Sequence, residues 1–428
     1  MNRTAERRLA LNFLVRAGKD LSILDDDGNN FLHMTCLEGD LVMMEYVLAK
    51  DIFDINSRGK YGRTSVMIAG MKGRRHMLDV LVKKGCNVSL LDDDKNNILH
   101  LVCSESDVEM AKCVLSWNII DIDSRGKCGM TPAMMAAVSG CRELLILLLL
   151  EGADTSLMDD RGNTAFHWAC TVGDVEVVQH FLSMGNVDID GPGQDSWTPV
   201  MMAAGKGHRG VFSLLVEKGC DLTLDAGGAS ILHAACTGGD EEIVEYVLLQ
   251  DIVDVNKREK TGRTPVMIAA EKGHRKVFEV LLSKGIDMKP EVDGNSTILH
   301  IACVGGDVGI VSSILSLGTV DINGKGMYGR TPAMIAAEFG HWRVFDLLFK
   351  RQSDISINDH FGNSCLHVAC LRGRVEMVNY LLFHQLCEIK AINNQSLTPA
   401  MMAAAGQHMS VFHILTSYGI LSNVLFTQ

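Results

Sequence analysis

Six histidines fall at His33, His100, His167, His233, His300 and His367, separated by 67, 67, 66, 67 and 67 residues. A beat this regular across 428 residues decides the architecture before any residue chemistry is considered, because a fixed period is the mark of a stacked repeat. Cysteines keep the same beat three residues later, at Cys36, Cys103, Cys170, Cys236, Cys303 and Cys370. Threonines fill the gaps at Thr64, Thr131, Thr198, Thr264, Thr331 and Thr398. The block is itself double. Its halves begin at Asn30, Thr64, Asn97, Thr131, Thr164, Thr198, Ser230, Thr264, Thr297, Thr331, Ser364 and Thr398, in steps of 33 and 34 with a single 32. These define repeats 1 to 12. A chain this long would ordinarily suggest two or three domains, but an unbroken period implies one array in which each repeat buries its faces against its neighbours.

The odd repeats read Gly162-Asn163-Thr164-Ala165-Phe166-His167-Trp168-Ala169-Cys170. The even ones read Gly262-Arg263-Thr264-Pro265-Val266-Met267-Ile268-Ala269-Ala270-Glu271-Lys272-Gly273-His274. This pattern resembles the ankyrin repeat, and the resemblance covers residues 25–421. It implies an all-α fold, an ankyrin-repeat solenoid of stacked helix-turn-helix units with β-hairpin-like fingers. Residues 1–24 are expected to form an amino-terminal helical remnant or cap, with Arg7, Arg8, Arg16 and Lys19 on its polar side, and residues 422–428 a carboxyl-terminal tail.

Local chemistry explains one repeat. Thr264 is placed to cap the first helix, and Pro265 suits the first helical position, where its missing N–H would be unpaired anyway. Ala269 and Ala270 are small enough for neighbouring inner helices to approach closely. Gly273 ends the inner helix and Gly285 the outer one. Odd and even repeats differ systematically. Methionine replaces the histidine in even repeats (Met67, Met134, Met201, Met267, Met334 and Met401), and cysteine replaces the second alanine in odd ones.

The formal charge of −12 disfavours a nucleic-acid surface, which needs cationic side chains to neutralise phosphates. The periodic cysteines lie two repeats apart, beyond disulfide reach, and read as reduced thiols of a reducing compartment. Residues 144–150 form the longest apolar run, too short to span a bilayer. The expectation is a cytoplasmic protein, with the nucleus left open, and no membrane insertion.

His-x-x-Cys recurs six times, as in His233-Ala234-Ala235-Cys236, and would place two soft ligands on one helical face. Structural zinc needs four ligands, so no metal is expected. The resemblance gives the histidine a hydrogen bond to the neighbouring finger instead. Two G-x-G-x-x-G stretches, Gly205 to Gly210 and Gly324 to Gly329, fall at a helix end and in a finger, not between a strand and a helix, so they do not form a nucleotide site. No catalytic set, cofactor or small-molecule substrate is expected. Fingertips alternate in sign: Asp25-Asp26-Asp27, Asp92-Asp93-Asp94 and Asp159-Asp160 enter odd repeats, whereas Arg58 and Lys60, Arg125 and Lys127, and Lys257 and Arg258 enter even ones. The first reading is salt bridging along the finger row. The second is a charge-patterned strip that selects an extended partner.

The resemblance implies that a protein or peptide partner lies on the concave surface of fingertips and inner helices. The residues this maps are Tyr61, Arg63, Trp197, Arg263, Tyr328, Arg330, Phe339 and Phe361, with the last four clustered in repeats 10 and 11. Aromatic and arginine side chains are the usual anchors of interfaces. The implied function is a non-enzymatic interaction scaffold. The alternative is the recognition arm of something larger: a ubiquitin-ligase adaptor, a phosphatase regulatory subunit or the cytosolic domain of a channel. Asn56, Asn256 and Asn323 resemble targets of asparaginyl hydroxylases, each in Asp-Ile-Asn or Asp-Val-Asn with Leu48, Leu248 or Leu315 eight residues earlier.

Overall fold

In the computed structural model, the residues described are 24–51, 53–288, 292 and 295–425. They form twelve helix pairs, one per repeat, from Phe31–Glu38 with Leu41–Ala49 in repeat 1 to Pro399–Ala405 with Met409–Leu425 in repeat 12. Inner helices are 7 or 8 residues long, and outer helices 8 to 10 except the last. Helices this short are marginal alone, so burial between neighbours stabilises them. The chain divides into two compact units, Met1–Ala203 with Gly210–Cys220, and Ala204–Arg209 with Asp221–Gln428. Within each, an inner helix packs on the inner helix of the next repeat and on its own outer helix. The core is the set of side chains between them, such as Leu232, Ala235, Cys236, Ile243 and Val247 in repeat 7, all at most 1 % exposed. The expected amino-terminal cap lies, but for residue 24, outside the described residues. The last outer helix runs Met409–Leu425, so helix extends past the expected boundary at residue 421.

Odd repeats start on a histidine-closed cap. In repeat 11 the Ser364 backbone N–H donates to Nδ1 of His367 (3.2 Å), so that nitrogen carries no proton. The proton then sits on Nε2, which donates to the Leu397 carbonyl of the next finger at 3.1 Å. His167 reaches Gly191 O (2.9 Å), His233 reaches Arg263 O (3.3 Å), and His300 reaches both Gly324 O and Arg330 O (3.1 Å each) in the same way. The histidine beat is therefore a row of ties between a helix start and the following finger. In even repeats methionine sits at that position and offers no ring. Thr264 was expected to cap its helix; it does not. Its hydroxyl, like those of Thr64 and Thr198, is buried without a hydrogen bond. Thr131, Thr331 and Thr398 precede the same proline and do accept the backbone N–H of the methionine three residues on, at 3.4, 3.4 and 3.3 Å.

The fingers are tight turns, and among the described residues no strand forms. Those entering repeats 1, 3, 5 and 11 are built on an aspartate: Asp359 Oδ1 accepts from the backbone N–H of Phe361 (2.9 Å) and Asn363 (2.8 Å). Neighbouring fingers join through one backbone bond, as from His360 N–H to Tyr328 O and from Asn394 N–H to Phe361 O, both 2.9 Å.

Candidate functional site

The finger entering repeat 10 turns at Met327–Gly329 and puts Tyr328 in the left-handed region, φ +58°. That conformation is uncommon for a bulky residue. It is held by Gly326 N–H to Arg330 O (2.9 Å) and by the bond from His360. Tyr328 is thereby turned outward, 50 % exposed, and meets Phe361 on the next fingertip with ring centroids 6.0 Å apart. Phe361 is 45 % exposed, and Phe339, at the end of the inner helix of repeat 10, is 39 % exposed. These three aromatics are open to solvent in adjoining repeats.

Arg330 differs. Its side chain is only 15 % exposed and pairs through Nη1 with Glu338, eight residues on, and through Nε with Asp359 at 3.5 Å. Glu338 is itself buried, and its other oxygen accepts from Nε (3.0 Å) and Nη2 (2.9 Å) of Arg372 in repeat 11. The Glu338 carbonyl takes Nε of Arg374 (2.9 Å). Arg330 also lies over the Tyr328 ring, 5.9 Å from its centroid. It belongs to the support beneath the aromatics, not to the free surface. Burial in company is the reason: a charge withdrawn from water must be paired and hydrogen-bonded.

The sequence reading missed Glu338, Asp359 and Arg372. A signal was available: an arginine just before the threonine and a glutamate eight residues later, seen in Arg330/Glu338 and again in Arg263/Glu271. In repeat 8 the pair is simple, Arg263 Nη1 to Glu271 at 2.6 Å, with more solvent around both. At the finger entering repeat 2, Arg63 lies 3.5 Å from Asp92, donates to the Met71 sulfur at 3.1 Å, and stacks with Lys60 on exposed Tyr61. Trp197 is half-buried at its turn. The eight mapped residues thus separate into four exposed aromatics, Tyr61, Tyr328, Phe339 and Phe361, and four residues partly withdrawn.

The fingertip charges are largely spent on one another. Lys60 pairs with Asp27 (2.8 Å), Lys127 with Asp94 (3.0 Å), Arg125 with Asp160 (3.5 Å) and Arg58 with Asp93 (3.8 Å). Lys257 pairs with Asp225. This is the salt-bridged finger row of the first reading.

Burial holds His33, His100, His167, His233 and His367 below the ordinary imidazole range, so they are neutral near pH 7. It pushes the Cys36 and Cys370 thiols up to about 12 and raises Cys103, Cys170, Cys236 and Cys303 too. A protonated buried thiol is a poor ligand and a poor nucleophile. Among the described residues, no three His, Cys, Asp or Glu side chains gather to hold a metal ion, and no helix is long and apolar enough to cross a membrane.

Asn56, Asn256 and Asn323 occupy equivalent turns after an outer helix. Each side-chain oxygen accepts a backbone N–H from the next repeat, Asn87 (2.7 Å), Asp287 (3.0 Å) and Asp354 (2.8 Å). Each backbone N–H donates at 2.9 Å to the aspartate two residues earlier.

A family profile described as ankyrin repeats (3 copies) matches residues 4–92, 67–159, 142–226, 223–292, 287–359 and 343–424. The chain belongs to the ankyrin repeat family. It is similar to the human transient receptor potential cation channel subfamily A member 1, 24 % identical over 451 residues, covering 85 % of this chain and 40 % of the channel. It is also similar to the mouse B-cell lymphoma 3 protein homolog, 24 % identical over 60 % of this chain and 51 % of that protein. A third relative is the Arabidopsis thaliana E3 ubiquitin-protein ligase KEG, 23 % identical over 82 % of this chain and 21 % of the ligase. The chain spans about half or less of the length of these relatives.

Proposed function

We propose that the chain is a non-enzymatic interaction scaffold that holds a protein or peptide partner against the finger and inner-helix face of repeats 10 and 11. The observation that carries this reading is the exposed Tyr328–Phe361 pair, with Phe339 beside it, fixed from below by Arg330, Glu338 and Arg372. Rigid, solvent-facing aromatics lose little entropy on binding and dominate interface energetics. Affinity capture from extract with the wild-type chain and with a Tyr328→Ala/Phe339→Ala/Phe361→Ala variant, quantified by mass spectrometry, tests it. A bound protein should be depleted with the variant while circular dichroism stays unchanged. Equal recovery of every bound protein would move the site elsewhere.

A second reading is that the array is the recognition arm of a larger protein, as a channel, a ligase adaptor or a phosphatase regulatory subunit would use it. Its support is that 85 % of the chain aligns within 40 % of the human channel. The thirteen free cysteines fit a reducing cytoplasmic setting. We further propose Asn56, Asn256 and Asn323 as hydroxylation sites, on the strength of their equivalent turns, in which Asn256 is exposed and the other two half-buried, and of the leucine eight residues before each.

A further inference from the structure

The outer helices carry an ion-pair ladder of their own. Even repeats place an arginine at the start of the outer helix: Arg75, Arg142, Arg209 and Arg275. Odd repeats place a glutamate near the start of theirs: Glu109, Glu176, Glu242 and Glu376. The two meet across the junction from an even repeat to the next odd one: Arg75 with Glu109 (3.5 Å), Arg142 with Glu176, and Arg209 with Glu242. The ladder breaks at the next two such junctions, and in opposite senses. Opposite Arg275 stands Gly309 where the pattern has glutamate, and opposite Glu376 stands Trp342 where it has arginine.

The breaks leave a groove. Arg275 turns to Glu279 on its own helix, Nε to Oε1 2.8 Å, and lies over Gly309, where a Cβ would come within 2.6 Å of its Cζ. Among the described residues Glu376 has no cation within ion-pair distance. Both charges line one hollow of about 580 Å³, together with Asp307, Trp342 and Arg343, so it holds two acidic and two basic side chains. A second hollow of about 590 Å³ shares Trp342, Arg343 and Glu376 and continues to Tyr380. Trp342 and Tyr380 stack at 5.8 Å, and the Arg343 guanidinium lies 5.2 Å from the centre of the Trp342 ring. A guanidinium therefore already packs on this aromatic wall. Volumes of this order fall in the range of small-ligand clefts.

We propose that this outer-helix groove of repeats 8 to 11 is a docking site for a linear peptide segment that carries an arginine and a nearby acidic residue. The arginine takes the place left at Glu376, as arginines do at three other junctions, and its plane packs against the aromatic wall. The acidic residue takes the outward N–H groups of Arg275, of which only Nε is engaged by Glu279 among the described residues. The charges of the groove are complementary to that sequence and not to a uniformly basic or acidic one. The site is separate from Tyr328 and Phe361.

The test uses the full chain and a library of capped hexapeptides with arginine and aspartate at varied spacing, read by fluorescence polarisation. The wild-type chain is expected to select peptides holding both residues and to lose them when citrulline replaces arginine. Gly309→Glu with Trp342→Arg restores the ladder using residues the chain already carries at those positions. This variant should keep the amide-exchange protection of the inner helices of repeats 8 to 11 and bind at least tenfold more weakly. Glu376→Gln, an exposed and nearly isosteric change, gives the same loss without risk to folding, and Tyr328→Ala leaves binding unchanged. Failure to select arginine peptides, or equal binding by wild type and Glu376→Gln, overturns the proposal. Displacement by free L-arginine at equal concentration would make the occupant the amino acid and overturn it as well.

Discussion

Replacing Glu338 by alanine should be a costly single change for repeats 10 and 11. The carboxylate is 5 % exposed and accepts three charge-assisted hydrogen bonds, one from Arg330 and two from Arg372. Breaking a buried pair typically costs about 3–5 kcal/mol, because the remaining charge stays buried without its partner. Arg372 is more than half exposed and can hydrate once released, whereas Arg330 is largely enclosed and keeps only its long contact to Asp359. The expected loss is therefore about 2–4 kcal/mol. Glu338→Gln, which still accepts from arginine but without the charge, should lose about half of that. Glu271→Ala is the internal comparison. The same arginine-to-glutamate geometry exists there with one ion pair and more solvent, so the loss should be about 0–1 kcal/mol. Repeat arrays unfold in parts, so a single global transition is the wrong observable. Hydrogen exchange of the repeat 10 and 11 amides, read against those of repeats 2 to 4, isolates the local opening free energy. Equal losses for Glu338→Ala and Glu271→Ala would refute the argument that burial and shared bonding make this cluster a structural lock.

Other outcomes follow from the same geometry. His233→Ala removes the tie to the Arg263 carbonyl and should raise amide exchange in the finger entering repeat 8, at a cost of about 1–3 kcal/mol, with distant repeats unchanged. Folding holds five histidines below their unfolded value of 6.5, so the unfolded chain binds more protons between that value and the folded ones. Stability from this source is complete above pH 6.5 and is lost as pH falls through the lowered folded values. Local opening free energies at the histidine-capped helix starts, read by hydrogen exchange, that stay flat from pH 7.5 to 5.0 would contradict it. Peptides containing Asn56, Asn256 and Asn323 should each gain the mass of one oxygen after incubation with an asparaginyl hydroxylase, and no gain on any of the three ends that proposal.

The twelve helix pairs, their starts and the buried positions were legible in the sequence, because the period fixes which residues face a neighbour and small or apolar side chains recur there. The histidine beat was legible too, although only coordinates show that a backbone N–H occupies Nδ1 and so sends the proton on Nε2 to the next finger. The capping role expected of Thr264 is not filled, although Thr131, Thr331 and Thr398 fill it ahead of the same proline and methionine, a difference between equivalent repeats that the pattern conceals. Exposure at the site was half readable. The sequence placed Tyr328, Arg330, Phe339 and Phe361 on one surface, but it ranked the arginine with the aromatics. Only the tertiary structure shows Arg330 drawn down between Glu338 and Asp359 while Tyr328 turns outward. A repeat pattern determines the environment that every repeat shares. Where single repeats depart from it, as at Glu338, Gly309 and Trp342, the consequence depends on the residue one repeat away, and contact across that distance exists only once the chain has folded.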